Sequence, residues 1–376
     1  MTFKKKITDV VVLGTSNVGS SIILGLFWLY LATFLSKLEY GELGFLMSVA
    51  NVGFGIAFLG IAAVITVYEP KNQNVFPASF VLGLISASIT GIIVFILTNN
   101  VAASILIIGM TVFFTIQAGL ISKKRYKNSS IHTLLRASSI VIVSIILYHF
   151  FGINGILLGY FIASLFVLKE LYSFMKNNRI DFSLLRNKVG FMTQMWANRF
   201  SGIIVLWGDK LLIGSMFGFT FLAHYQFAAQ YLLLLNAIPT SIGQYLLPQE
   251  SEGLKNKKIK IFSIGIAVLI TIISILVAPF GINAFLPDYE DSIVPIQILS
   301  VAITPLTISA ILQAKLLGKE QSRVILIGSI VQACLYLILV IVLGNLFGLI
   351  GIAVGFLLAA TVRTTFDMVV SYRKKK

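Results

Sequence analysis

The sequence predicts an all-α polytopic membrane protein of twelve transmembrane helices, arranged as two six-helix bundles, 1–180 and 181–376, related by pseudo-twofold symmetry. Three observations predict it. Of the 376 residues, 57% are hydrophobic and only 11% charged, and the mean hydropathy of +0.95 lies outside the range of a water-soluble domain. The charges fall in short gaps between long apolar runs, with the basic ones gathered in alternate gaps. A ten-residue stretch beginning at Phe151 returns at Phe347.

A helix crosses the hydrocarbon core with roughly 20 apolar residues, and twelve such runs follow one another. The first, 8–35, comes after Lys4-Lys5-Lys6 and opens like a signal peptide. No small-residue cleavage site ends it and eleven runs follow, so a retained span is expected. It carries Ser16, Asn17, Ser20 and Ser21, and the second, 42–67, carries Asn51. The third to sixth, 76–98, 101–121, 130–150 and 153–174, have no interrupting proline, and Arg136 stands near the start of the fifth. The seventh, 190–217, is the most charged, with Arg199, Asp209 and Lys210. In the eighth, 219–247, Gln226 with Gln230, then Asn236, Thr240 and Gln244, recur at four-residue spacing. The ninth is 259–282. Pro239 in the eighth and Pro295 and Pro305 in the tenth, 292–316, are expected to kink their helices, so bending points concentrate in the second half. Cys334, expected to pack, lies in the eleventh, 322–345, and Arg363 in the twelfth, 348–371. Little chain remains for an extramembrane catalytic domain.

Orientation follows from lysine and arginine. With the N-terminus inside, the outer gaps hold only Lys37 of the 29 basic residues, and four lie within spans. The rest occupy inner gaps or, at Lys169, Lys260, Lys315 and Arg323, the span ends beside them, the positive-inside pattern, which places both termini in the cytoplasm. The net charge of +15 is therefore a property of one membrane face and does not point to nucleic acid. One cysteine permits no internal disulfide, and His132, His149 and His224 lie in separate spans without metal-ligand spacing. There is no phosphate-binding glycine loop, so neither an enzyme nor a cofactor is expected. Asp288, Glu290 and Asp291 read as a solvated outer loop.

The repeat sets Phe151-Gly152-Ile153-Asn154-Gly155 against Phe347-Gly348-Leu349-Ile350-Gly351 at an offset of 196 residues, and the same offset sets Lys123 against Lys319 and Ala163 against Ala359. Six spans per half give both halves one orientation and a symmetry axis along the membrane normal, with a substrate site expected at their interface. A bland alternative is a tight glycine turn between packed helices.

The segment Leu38-Glu39-Tyr40-Gly41-Glu42-Leu43-Gly44-Phe45, with Leu59-Gly60, Gly208-Asp209-Lys210-Leu211-Leu212-Ile213-Gly214, Tyr225 to Ala228 and Leu317-Gly318-Lys319, resembles the polysaccharide transporter family of Wzx-type oligosaccharide-lipid flippases. That resemblance implies the multidrug and polysaccharide exporter fold, rocking-bundle alternating access, and a polyprenyl-diphosphate-linked oligosaccharide as substrate. Membrane lipids and glycan-assembly enzymes are the expected partners.

Charges within the membrane carry the functional expectation, because burying them is costly unless they meet water, a partner or a ligand. At roughly 100° per residue, Arg199 and Lys210 fall within about 20° of one face and about 16 Å apart along one helix. With Asn198 and Gln194 they form a cationic stripe suited to a diphosphate, Arg by paired hydrogen bonds and Lys as a point charge. Arg363, too deep to snorkel easily, is a second candidate ahead of Arg136, and Asn17 a polar one. Asp209 reads as the only deep acid and a possible coupling residue. Cations outnumbering buried anions favour an anionic substrate. A cation-coupled multidrug or metabolite antiporter is the alternative, with lipid II transport a weaker variant, since 42–67 contains no arginine and so departs from the resemblance to peptidoglycan-precursor flippases, which carry one there.

Overall fold

A computed structural model describes residues 3–176, 178–236, 242, 246, 257–318 and 321–373; side chains 3–11, 13, 318, 322, 372 and 373 are outside the description. Pro239, Thr240, Gln244 and Lys319 lie outside the described residues. Among those described, every element is helical. In order they are α1 (Phe3–Phe34), α2 (Lys37–Ala57), α3 (Ile61–Tyr68), α4 (Phe76–Thr98), α5 (Val101–Ser122), α6 (Tyr126–Phe151), α7 (Ile153–Leu165), α8 (Leu168–Met175), α9 (Ser183–Arg186), α10 (Val189–Ile203), α11 (Asp209–Phe217), α12 (Phe219–Leu235), α13 (Lys257–Phe285), α14 (Ile293–Val301), α15 (Ile303–Gly318) and α16 (Ser322–Arg373). Helices dominate because a chain in lipid must satisfy every backbone donor and acceptor within its own segment.

Among the described residues nine helices are long and apolar enough to cross a membrane, and ten if α2 and the segment Ile61–Lys71, bent by 48°, count as one span. Helix α16 is itself two spans meeting at Gly348, whose φ of 58° and ψ of −137° are not helical. The eighth expected span is described as α12 alone, its remainder mostly outside the described residues. The tenth is broken at Ala302, between α14 and α15, just before Pro305. Large apolar side chains such as Leu97, Phe150, Phe280 and Phe285 are exposed by 75% or more, tolerable where the surrounding solvent is hydrocarbon.

The chain forms two compact units, one of Met1–Phe27 and Leu46–Ile203, the other of Trp28–Phe45 and Ile204–Lys376. In unit 1, α5 is the most enclosed helix, with Leu106, Ile107, Ile116 and Leu120 fully buried. Asn100 caps it by accepting from Ala103 N at 2.8 Å, and donates to Asn154 Oδ1 at 2.7 Å. The α6–α7 hairpin turns at Gly152 (φ 54°, ψ −138°), and a Cβ on Gly155 would lie 2.1 Å from Leu147 O. At the repeat offset, a Cβ on Gly351 would lie 1.9 Å from Leu343 O. The duplicated turn therefore has one geometry in both units.

In unit 2 the core joins Ile213, Leu222, Tyr225, Tyr336, Val340 and Ile352. The start of α2 is a capping box: Glu39 Oε2 accepts from Ser36 N at 3.0 Å, and Glu39 N donates to Ser36 Oγ at 3.3 Å. A Cβ on Gly41 would fall 1.8 Å from Phe219 O, so this glycine lets α2 lie directly against α12. Cys334 is exposed rather than packed, a correction with a simple cause: α16 turns that face outward, where a small apolar thiol costs little.

Candidate functional site

Arg199 projects from α10 and is exposed, yet it lies against aromatic rings from two other helices of unit 1. Its guanidinium carbon is 5.7 Å from the Phe54 ring, 5.1 Å from Phe58 and 5.6 Å from Phe114. Phe54 and Phe58 are one helical turn apart and pack at 4.8 Å, and Phe114 meets Phe54 at 5.3 Å, so the three form a continuous surface. Ring faces carry negative charge density and hold the cation without consuming its N–H donors. Among the described residues Arg199 has no carboxylate partner and no hydrogen-bond acceptor.

Local backbone geometry sets this surface. Helix α2 ends at Ala57, and Leu59 (φ 40°) and Gly60 (φ 72°) turn the chain before α3. A Cβ on Gly60 would lie 2.3 Å from Met192 O, so the break is where α10 fits. Trp196 Nε1 donates to Gly55 O at 2.9 Å and its ring stacks on Phe200 at 5.3 Å, fixing α10 one turn before Arg199. Asn198 is half-buried, Gln194 is exposed, and Asn17, also in unit 1, is exposed with its carbonyl accepting from Ser20 and Ser21 Oγ at 3.0 and 2.9 Å.

Lys210 follows a break in the regular helix that the expected stripe assumes. Residues Ile204–Gly208 form a π-helix, whose wider turn breaks the 100° count on which a common face depends. Lys210 is buried in unit 2 and donates to Leu206 O at 2.6 Å, a carbonyl of that π turn, with Asp209 Oδ1 at 3.4 Å. Asp209 is buried too: its Oδ1 accepts from Lys210 N at 2.8 Å, and its Oδ2 accepts from Tyr225 and, at 3.1 Å, from Tyr336. The two phenol oxygens are 2.5 Å apart. Tyr225, a candidate for sugar stacking, is thereby committed to this cluster.

Asp209 is not the only deep acid. Asp367 is wholly buried, and its Oδ2 accepts from Arg363 Nε at 3.0 Å, Ser309 Oγ at 2.7 Å and Gln313 Nε2 at 3.3 Å. Arg363 also donates to Ile325 O at 3.0 Å and Ser329 Oγ at 2.9 Å. Burial forces such a charge to find a counter-charge, and the signal was in the sequence: Asp367 stands four residues after Arg363 on one helix face. Glu170, with its side chain 10% exposed, is a further acid near the end of the sixth span, bound to Arg125 at 2.8 Å and within 3.4 Å of His132. Arg136 donates to Ser164 Oγ at 3.0 Å and covers Phe113 at 4.6 Å. Gln226 and Gln230 are buried in the unit 2 core. Lys210 and Arg363 thus have counter-charges, while Arg199 has rings.

No profile of a known protein family matches the chain. No curated protein matches it in sequence. In three dimensions it has the fold of transporters of the MOP superfamily, the two-bundle, twelve-helix class. A MOP superfamily transporter from Pyrococcus furiosus superimposes over 97% of this chain and 95% of its own, with a TM-score of 0.62 and 14% identity. The lipid II flippase MurJ in an inward closed conformation matches over 97% of this chain and 80% of its own, with a TM-score of 0.63 and 14% identity. A mutant of the Vibrio cholerae MATE transporter VcmN matches over 98% and 96%, with a TM-score of 0.66 and 14% identity.

Proposed function

We propose that this protein is a membrane flippase or exporter rather than an enzyme, and that it moves a polyprenyl-diphosphate-linked oligosaccharide from the cytoplasmic to the outer leaflet. Alternating access of its two bundles drives the step, with Arg199 and its rings moving together in unit 1. The observation that carries this reading is Arg199, an exposed residue whose guanidinium lies against three phenylalanine rings with no acid paired to it among the described residues. A diphosphate meets two parallel N–H donors there, while an isoprenoid segment finds apolar surface in the same rings. A multidrug cation is repelled by that charge. Asn198 and Asn17 supply neutral hydrogen bonds to sugar hydroxyls or phosphate. Arg363 and Lys210 hold Asp367 and Asp209 in place, and enter substrate binding only if those pairs open. Lipid-linked glycan, membrane lipids and glycan-assembly enzymes are the partners that follow, with both termini in the cytoplasm.

The fold similarity to MurJ and to MATE transporters supports export across a membrane and leaves the cation-coupled antiporter as the second reading. That alternative needs Asp209 to take up a proton or sodium ion, but both of its oxygens already accept hydrogen bonds from Lys210, Tyr225 and Tyr336. The deciding experiment reconstitutes the protein in liposomes with a fluorescent polyprenyl-diphosphate oligosaccharide. The native protein is expected to flip it, Arg199→Ala to lose at least about tenfold of the rate, and Arg199→Lys, which keeps the charge and loses the fork, to retain part. No flipping, together with drug-stimulated proton or sodium flux that Asp209→Asn abolishes, would establish the antiporter.

A further inference from the structure

A cavity of 470 Å³ opens on unit 1 between the α2–α3 break, α4 and the α9–α10 segment. Its walls include Leu59, Leu82, Leu185, Met192 and Trp196, and Arg186 is the one charged residue lining it. Arg186 is exposed and, among the described residues, has no acidic partner. Phe182 and Val189, also in the lining, are 48% and 55% exposed. Trp196 is held as a fixed wall by its bond to Gly55 O. The backbone that shapes the floor is specialised: Leu59 and Gly60 both have positive φ, and Met192 closes against Gly60.

We propose that this cavity binds an anionic phospholipid of the leaflet on the basic side of the membrane, with an acyl chain between the apolar walls and the phosphate at Arg186. Charge complementarity selects the occupant. The segment 176–188 carries Lys176, Arg179, Arg186 and Lys188 against one acid, Asp181, whose Oδ1 is already occupied by Ser183 N at 2.9 Å. A neutral apolar molecule would fill the walls and leave the guanidinium unused. A phospholipid uses both, and its acyl chain would cover the exposed apolar surface of Phe182 and Val189 at the mouth. Basic pockets beside transmembrane helices on the cytoplasmic side recognise anionic headgroups in this way. The volume, at the low end for ligand pockets, suits part of one chain rather than a whole lipid. An occupant here bears on both α10 and the α2–α3 break, two of the segments that build the Arg199 surface. The site itself stands whether or not Arg199 binds a diphosphate.

Native mass spectrometry of the purified full chain with palmitoyl-oleoyl phosphatidylglycerol, against the phosphatidylcholine analogue, tests this. The native protein should retain phosphatidylglycerol as a one-to-one adduct. Arg186→Gln and Val189→Trp, both at exposed positions, should each weaken retention by about fivefold, and Lys127→Gln, on another basic gap, should leave it unchanged. Phosphatidylglycerol brominated on its acyl chain should quench native fluorescence but not that of Trp196→Phe. Equal retention in native protein and both cavity variants, or equal loss in Lys127→Gln, would overturn the site in favour of diffuse surface charge. Full displacement of phosphatidylglycerol by equimolar polyprenyl phosphate would overturn the assignment of the occupant.

Discussion

At the residue scale, the basic side chains within spans divide by what neutralises them. Arg363 and Asp367 are 2% and 0% exposed as side chains, so their pairing is a condition of burial rather than a surplus of stability. Removing one partner leaves a bare charge in a low-dielectric site. Asp367→Ala should therefore cost about 3 to 5 kcal/mol, read as a lower melting temperature in detergent, while Arg363→Met combined with Asp367→Leu should recover most of it. If the single and double variants melt alike, the pair is not what holds that region. Asp209 poses a related test. Asp209→Asn keeps the shape but strips the counter-charge from Lys210 and an anionic acceptor from Tyr225 and Tyr336, so destabilisation should exceed that of Lys210→Met. Asp209→Asn melting no lower than Lys210→Met would contradict this.

At the element scale, two local devices set helix geometry. One is the glycine turn repeated at Gly152 and Gly348, both with positive φ and ψ near −137°. A side chain is nearly excluded from that conformation, so Gly348→Ala should cost about 1 to 3 kcal/mol, whereas Gly281→Ala, in the helical interior of α13 with open space around its Cβ position, should cost nothing and add helix propensity. Comparable melting of the two variants would rule out the turn as a constraint. The other device is the π-helix at 204–208. Periodicity counted at 3.6 residues per turn put Arg199 and Lys210 on one face, and no sequence pattern marked the extra-wide turn between them. Within the same segment Lys210 Nζ binds Leu206 O, answering a carbonyl that the wider turn leaves available. The motif Leu38 to Phe45 is also explained at this scale, since Ser36 and Glu39 start a helix and Gly41 admits a neighbouring backbone.

At the scale of the whole molecule, the basic residues gather in alternate gaps of the sequence, and many large apolar side chains are exposed as in a chain surrounded by lipid. The orientation expected from them places the C-terminus in the cytoplasm and the gaps at Asn100 and Asp288 outside. A fluorescent protein fused after Lys376 should fluoresce, and alkaline phosphatase fused after Asn100 or Asp288 should be active; the opposite pattern would invert the topology and move the proposed phospholipid site to the outer leaflet.

Hydropathy and charge spacing carried the helical class, most span positions and the repeat, because a bilayer imposes its thickness and sidedness on every span alike, and each constraint acts on a contiguous run of residues. Tertiary structure decided the rest. Which intramembrane charges are answered depends on partners far apart in sequence: Asp209 with Tyr336, Asp367 with Ser309, Arg199 with Phe54 and Phe114. Such pairings are fixed by how helices pack, and a linear pattern carries no record of which face of one helix meets which face of another.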